Sequence, residues 1–350
     1  MTAVAEKDEF LSQADSYRHE LLAHCYRMLG SVYDAEDLVQ DTYLRAWRSY
    51  GSFEGRSSVR TWLYRIATNT CLTALESRNR RPLPTGLGGP SPEPEAELTE
   101  RTEVPWLEPL PDDAIDSDGA DPAAVAVSRE SVRLALVAAL QHLPPRQRAV
   151  LILRDVLKWR AAEVADLLDI STAAVNSSLQ RARTQLAKVA PDLDSRPEPL
   201  SSEQRALLDR YVTAFEMKDI DEIVSLFTSE AVWEMPPFPQ WFVGAENIGR
   251  VVDSQCPAGP DDMRLIPTRS NGQPAFGVYM RDATGSAFLP FQIQVLAFSG
   301  DSVGHVVTFF DQRLFETFGL PDAYPTDDRP EDDRPHDPHA ADQPSGTPVR

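Results

Sequence analysis

Residues 161–188, AAEVADLLDISTAAVNSSLQRARTQLAK, decide how the chain is read. Ala161 to Leu168 predicts one helix, Asp169-Ile170 a tight turn, and Ser171 the N-cap of a second helix. In that second helix Val175, Leu179, Ala182 and Leu186 fall at helical spacing and stack on one side. Such a helix-turn-helix lays its second helix in the DNA major groove. The opposite face offers Ala173, Ser177, Gln180, Arg181, Thr184 and Lys188, which are small, hydrogen-bonding or basic. Side chains of those kinds pair with base edges and phosphates, while Arg183 and Arg146 lie to the side, where phosphates run. A solvated helix in a plain bundle carries the same residue types, so the face alone leaves both readings open.

Outward from this stretch, Leu134 to Leu140 predicts a helix that stops at Pro144-Pro145, where a second one starts with Val150, Leu153, Val156 and Leu157 as its buried stripe. Residues 131–190 thus form one small helical domain. Residues 10–81 form another. Leu11 to Leu29 is a helix closed by Gly30, Asp34 opens the next through Trp47, Gly51 and Gly55 bracket a turn, and a third helix runs from about Ser58 to Glu76. Residues 200–320 change character: two amphipathic helices (Leu207 to Phe215, Ile223 to Phe227) precede strand-like runs at 231–235, 263–268, 275–280, 287–298 and 303–310. The expected architecture is multidomain, with two small all-α domains, the second a helix-turn-helix, followed by an α+β domain whose helices cover one face of a curved sheet.

The 350 residues carry a formal net charge of −20, which is hostile to nucleic acid until it is divided along the chain. Residues 42–81 hold 8 basic against 2 acidic side chains, and 131–190 hold 9 against 4. Between them, 82–130 hold 2 basic against 12 acidic, with many prolines and glycines, and read as an acidic linker. Its patch Val104-Pro105-Trp106-Leu107-Glu108-Pro109-Leu110 is apolar enough to pack on a neighbour. Pro191 to Pro199 reads as a second linker and 326–350 as a disordered tail. Cys25, Cys71 and Cys256 are too scattered for a disulfide framework or a cysteine zinc site, so neither metal nor cofactor is expected. The longest apolar run, Leu134 to Leu140, is too short for a membrane span, and the N-terminus lacks a secretory pattern, which predicts a cytoplasmic chain with no membrane partner.

Two features of the first domain carry chemistry. Asp37, Gln40 and Asp41 share one face of a helix, as a partner-binding stripe or an idle solvated one would. Arg56, Arg60 and Arg65 interleave with Phe53, Trp62 and Tyr64, a combination in which aromatic rings stack on unpaired bases while arginines hold the strand.

The run from Asp34 to Trp47, then Phe53-Glu54-Gly55-Arg56 and Thr61 to Thr70, resembles regions 2.2 to 2.4 of a bacterial sigma factor. Leu143 to Arg148, with Glu163-Val164-Ala165 and Arg181-Ala182-Arg183, resembles region 4. With no region 1.1 or full third sigma domain between them, the pattern is similar to the extracytoplasmic-function group of the sigma-70 family. The resemblance implies a transcription initiation factor, not an enzyme. Asp37, Leu38, Gln40 and Asp41 would meet the clamp helices of the largest subunit of core RNA polymerase, and region 4 its flap. Phe53, Arg56, Arg60, Trp62, Arg65 and Asn69 would capture the −10 element of promoter DNA. Ser171, Ala173, Ser177, Gln180, Arg181, Arg183 and Thr184 would read the −35 element, and the acidic linker would thread toward the RNA exit path.

Residues 200–320 resemble the SnoaL-like group of the NTF2-like cone fold, through their helix–helix–strand order, Trp233 to Pro237 and Trp241-Phe242-Val243-Gly244. Such cones enclose an apolar pocket, here expected among Trp233, Trp241, Tyr279 and His305, with Phe238 and Phe291 beside them. The domain would modulate initiation by contacting the sigma domains or polymerase, through a small-molecule ligand, and an anti-sigma factor is a further partner of the chain; alternatively the domain is a fused cyclase-like or isomerase-like enzyme with His305 and Asp311 as its acid–base pair.

Overall fold

The structure, a computed structural model, describes residues 14–53, 55, 57–77, 80–115, 131–189 and 200–325. Arg56, residues 116–130, the Pro191 to Pro199 linker and the 326–350 tail lie outside the described residues. In the first helical unit, α1 (Arg18–Leu29), α2 (Val32–Ser49) and α3 (Val59–Glu76) pack around Leu21, Leu22, Tyr26, Ala35, Val39, Leu63 and Ala67. Gly30 closes α1 at φ 71, the left-handed cap expected of it. The cap of α2 is Ser31, not Asp34: the Ser31 hydroxyl accepts the Asp34 amide at 3.1 Å, and the helix starts early because Val32 is buried. Asp34 is thereby freed to pair with Arg81 at 2.6 Å.

The second unit comprises α4 (Leu134–Leu140), α5 (Pro145–Leu151) running into a wide π turn at Ile152–Val156, α6 (Ala161–Leu168) and α7 (Thr172–Val189). Asp169 ends α6 in the left-handed conformation at φ 54, and the Ser171 hydroxyl caps α7 by accepting the Ala174 amide at 3.1 Å. Val175, Leu179 and Ala182 are buried as their spacing requires.

In the third, α8 (Ser202–Glu216) and α9 (Ile220–Leu226) precede β1 (Phe227–Glu234), β2 (Trp241–Val243), β3 (Met263–Ser270), β4 (Gln273–Arg281), β5 (Ala287–Ser299) and β6 (Ser302–Phe309). The strands lie in the order β2-β1-β6-β5-β4-β3, antiparallel except for the β1–β6 pair. Phe227, expected in a helix, starts β1 instead. Two helices escape the sequence reading: the short one at Arg313–Thr317 and α10 (Ala245–Gln255), although Ile248, Val251 and Val252 of α10 are spaced to face the core. Alternation along the strands splits the sheet into two faces. Trp233, Phe276, Val278, Leu296 and Val306 point inward onto α8–α10, while Tyr279, Ile293, Val295, Val307 and Phe309 point outward. The outer face packs on α11 (Arg313–Thr317) and joins the core of both helical units.

Residues 80–115 are no free linker. They form a strap along the C-terminal domain that ends between all three units, with Leu107 and Leu110 fully buried there. Trp106 is only half-buried, its indole N–H donating to the Arg101 carbonyl at 2.9 Å. The units meet at Asn271 in the β3–β4 turn, fully buried with φ 58, a conformation Asn tolerates. Its Oδ1 accepts the Leu110 amide at 2.9 Å, and its backbone N–H donates to the Leu110 carbonyl at 2.9 Å. Its Nδ2 donates to the Tyr26 hydroxyl at 2.9 Å and to the Val132 carbonyl at 2.6 Å. Tyr26 in turn donates to the Glu108 carbonyl at 2.7 Å.

Two predictions follow from these buried polar groups. Asn271→Ala strands the Leu110 amide and the Val132 carbonyl, and is expected to cost about 2–4 kcal/mol in urea unfolding, with faster amide exchange at Leu110; a loss below about 0.5 kcal/mol would contradict the junction. His24 is buried between α1 and α3, bonded to Thr68 Oγ1 at 2.9 Å, and burial together with Arg27 pulls its pKa to about 3. The unfolded chain therefore takes up a proton below pH 6.5 that the folded chain refuses, and stability falls with acid. Between pH 6.5 and 5.5 the wild type is expected to lose about 1 kcal/mol more than His24→Gln in urea titrations.

Candidate nucleic-acid interface

The α2 surface is open to solvent. Asp37 and Gln40 are exposed, Asp41 is half-buried and held by Arg45 one turn on at 2.9 Å, and Leu38 is half-buried against the helical core. The same face continues through Leu44 and Trp47, 53% and 41% exposed. Sequence reasoning passed over these two, though apolar residues at seven and ten positions beyond Asp37 on a polar stripe were the signal. Large exposed apolar side chains beside acids mark a protein-docking surface.

Where α3 begins, Phe53, Trp62 and Tyr50 form an aromatic cluster, with ring centroids 4.8 Å apart for Phe53–Trp62 and 6.4 Å for Tyr50–Trp62. Arg60 is drawn away from solvent, bidentate to Glu20 at 2.6–3.0 Å and 4.9 Å over the Tyr64 ring. Asn69 is exposed. Arg65 reaches across to the second helical unit and donates to the Asp166 carbonyl at 2.9 Å. Trp159 of that unit packs edge-on against Tyr64 at 5.5 Å. The helical units are thus seated on one another along α3.

Two buried guanidinium groups hold that seat. Arg148 donates to the Met28 carbonyl at the end of α1, to Gln141 Oε1 at 2.7 Å and to the Gln141 and Leu143 carbonyls at 3.2 Å. Arg27 donates to the Ser131 carbonyl at 3.1 Å and to its hydroxyl. Burial lowers both pKa values to about 10, and both groups stay charged near neutral pH.

The exposed side of α7 faces away from this contact. Ser171, Ala173, Ser177, Gln180, Arg181, Arg183 and Thr184 all lie exposed. An open groove of about 570 Å³ runs between α7 and the start of α5, lined by His142, Pro144, Gln147, Gln180, Arg181, Thr184 and Gln185. Among the described residues Arg181 donates to the Ser178 hydroxyl at 3.2 Å and meets no carboxylate, which leaves its charge to the groove. Arg183 is already bidentate to Asp155 at 2.6 and 2.8 Å. Gln147 and Gln185 are groove residues that the wheel of α7 alone did not single out.

The expected pocket does not assemble. Trp233 points into the cone, where Phe215 and Phe227 pack on it with centroids 6.0 Å away. Tyr279 and His305 lie on the opposite face, because each is out of step with the inward residues of its strand. Tyr279 stacks edge-on with Phe315 and Tyr324 and donates to the Pro321 carbonyl at 2.8 Å. Trp241 sits on the edge strand, its indole donating to the Gly88 carbonyl at 3.0 Å, and Phe238 and Phe291 pack on Phe310. Nor do His305 and Asp311 pair. His305 Nε2 is 2.8 Å from Glu234, whose other oxygen accepts the Thr85 amide of the strap at 2.7 Å, while Asp311 is bidentate to Arg313.

Comparison with known proteins finds three family models along the chain. The family model Sigma-70 region 2 matches residues 14–81, Sigma-70, region 4 matches 133–186, and the Nuclear transport factor 2 (NTF2) domain matches 203–281. The ECF RNA polymerase sigma factor SigG of Mycobacterium tuberculosis (strain H37Rv) is 60% identical over 319 residues, covering 91% of this chain and 85% of that protein. SigJ of the same organism is 29% identical over 250 residues, covering 69% and 72%. The crystal structure of SigJ covers 89% of this chain and all of its own, with a TM-score of 0.58 at 21% identity, so the overall fold is shared. Two helical DNA-binding units, a fused cone-like domain and a close relative spanning nearly the whole chain converge: the protein belongs to the extracytoplasmic-function RNA polymerase sigma factors.

Proposed function

We propose that the chain brings core RNA polymerase to promoters, and that it passes from the closed arrangement described above to an open one in order to do so. The observation that carries this reading is an asymmetry of exposure. The α2 face and the α7 groove are open to solvent, whereas α3 is engaged by region 4 through Arg65–Asp166 and Tyr64–Trp159. Docking on polymerase falls to Asp37, Gln40 and Asp41, with Leu38 beneath them and Leu44 and Trp47 extending the face. Phe53, Trp62, Arg60, Arg65 and Asn69, with Arg56 beside them in sequence, receive the −10 element. In α7, Ser171, Ala173, Ser177, Gln180, Arg181 and Thr184 read the −35 element, and Arg183 joins them once it leaves Asp155. Arg65 can hold a strand backbone only when region 4 withdraws from it.

The C-terminal domain is the modulator in this reading, because its Asn271 turn and outer face hold the two sigma regions and the strap together. It is not assigned catalysis: His305 faces Glu234 on the outer face beneath the strap, away from the cone interior. No helix among the described residues is long and apolar enough to cross a membrane. The work is placed in the cytoplasm, where polymerase acts.

The decisive experiment is run-off transcription with purified core polymerase, comparing the full chain, a chain ending near Pro199 and Asn271→Ala. Promoter-specific transcripts that change in amount with either alteration support modulation by the C-terminal domain, and unchanged output from both refutes it. Arg181→Ala is expected to weaken binding to a −35 duplex by about 1–3 kcal/mol, read by fluorescence anisotropy. Equal affinity for promoter and random DNA before and after the change would remove Arg181 from the site.

A further inference from the structure

The strap carries chemistry that the sigma reading does not use. Residues 84–101, PTGLGGPSPEPEAELTER, lie along the edge strand β2 and the helix α10, with a 3-10 turn at Pro84–Gly86 and a turn at Pro94-Glu95 closed by the Ala96 amide on the Glu93 carbonyl. Most of their side chains are exposed, and the domain holds them chiefly by the backbone. The Trp241 indole donates to the Gly88 carbonyl at 3.0 Å, and the Ser91 amide donates to the Trp241 carbonyl at 2.7 Å. Gln255 Nε2 donates to the carbonyls of Pro94 and Ala96 at 3.2 and 3.1 Å. Further along, the Arg101 amide donates to the Pro237 carbonyl at 2.9 Å. In the stretch 94–98 three side chains are held individually: Pro94 is buried, Glu95 is bidentate to Arg250 at 2.7 Å, and Leu98 packs on the inner core of the cone.

Indole and carboxamide N–H groups aimed at the carbonyls of a proline-rich segment constitute a mode of peptide recognition. The basic Arg250 selects an acid, and the edge of the sheet supplies a main-chain partner. We propose that the β2–α10 edge is a peptide-binding site for an acidic, proline-containing segment of another protein that turns at its Pro-Glu, with the spacing Pro-Glu-x-x-Leu, and that residues 84–101 are its resident ligand. A covalently tethered ligand needs only weak contacts, because a short linker presents it at an effective concentration of about millimolar. A segment of the same pattern arriving on a partner displaces the strap and takes the same donors. This inference goes beyond the sigma reading and stands or falls without polymerase or promoter.

The test uses a fluorescein-labelled peptide of residues 84–103 and the full chain in which 84–101 are replaced by Gly and Ser of equal length. Saturable binding is expected below about 1 mM, the concentration the tether supplies. Wild type, with its own strap in place, should bind at least about ten-fold more weakly by the same competition. Arg250→Glu in the strap-replaced chain should abolish binding, and a peptide carrying Glu95→Arg should restore it. A folded strap-replaced chain that shows no saturation by about 1 mM overturns the proposal, as does binding indifferent to the charge swap. If the replacement prevents folding, hydrogen exchange on the otherwise native chain decides. Arg250→Glu should speed exchange at the Ser91 and Arg101 amides, and unchanged exchange there overturns the proposal equally.

Discussion

A single carboxamide sets the arrangement of this protein. Asn271 is buried where three parts of the chain meet, and both ends of its amide are in use: the oxygen on the strap, the nitrogen on α1 and on the entry to region 4. A buried amide with its partners in place fixes position and orientation, whereas a partly satisfied one is costly. The left-handed backbone of the turn puts the side chain there, so the β3–β4 hairpin is both the corner of a sheet and the bolt of an interdomain joint. The other joining contacts are consistent with it. Arg81 ties Asp34 at the start of α2 to Glu108 of the strap, and Arg313 lies 4.9 Å over the ring of Tyr33 in α2.

The same joint distributes exposure unevenly. Outward-facing surfaces of α2 and α7 are exposed, while α3 faces the second helical unit, its Tyr64 against Trp159 and its Arg65 on the Asp166 carbonyl. Neither Arg27 nor Arg148 is hydrogen-bonded to a carboxylate among the described residues, so both depend on carbonyl, hydroxyl and amide oxygens across the seam. A charge satisfied by neutral acceptors is sensitive to any widening of the contact, because water competes on equal terms once it enters. The seam is well formed but made of groups that tolerate hydration.

Much of this was legible in the sequence, and the exceptions have physical causes. The helix-turn-helix could be read because its signals agree: the Val175, Leu179 and Ala182 spacing, the Asp169 turn and the Ser171 cap all demand the same local structure. Asp34 misled as a cap because Ser31 and Asp34 both suit that role, and only the burial of Val32 decides between them. The acidic segment misled because its composition is that of a linker, while its placement rests on main-chain bonds that composition does not record. The pocket misled because aromatic content says nothing of side; strand alternation sends Trp233 inward and Tyr279 outward, and register is a property of the folded sheet. His305 found its carboxylate in Glu234, 71 residues away in the chain, and not in the Asp311 that the resemblance to cyclases suggested.

The order of the units along the chain gives the joint a direction in time. The strap and both sigma regions are complete by residue 189, yet the turn that bolts them lies at Asn271 and the outer face is finished only by Tyr324. A ribosome adding roughly 5–20 residues per second needs on the order of ten seconds to cover that distance. During that interval each nascent chain presents paired DNA-binding units whose fastening has not yet been synthesised.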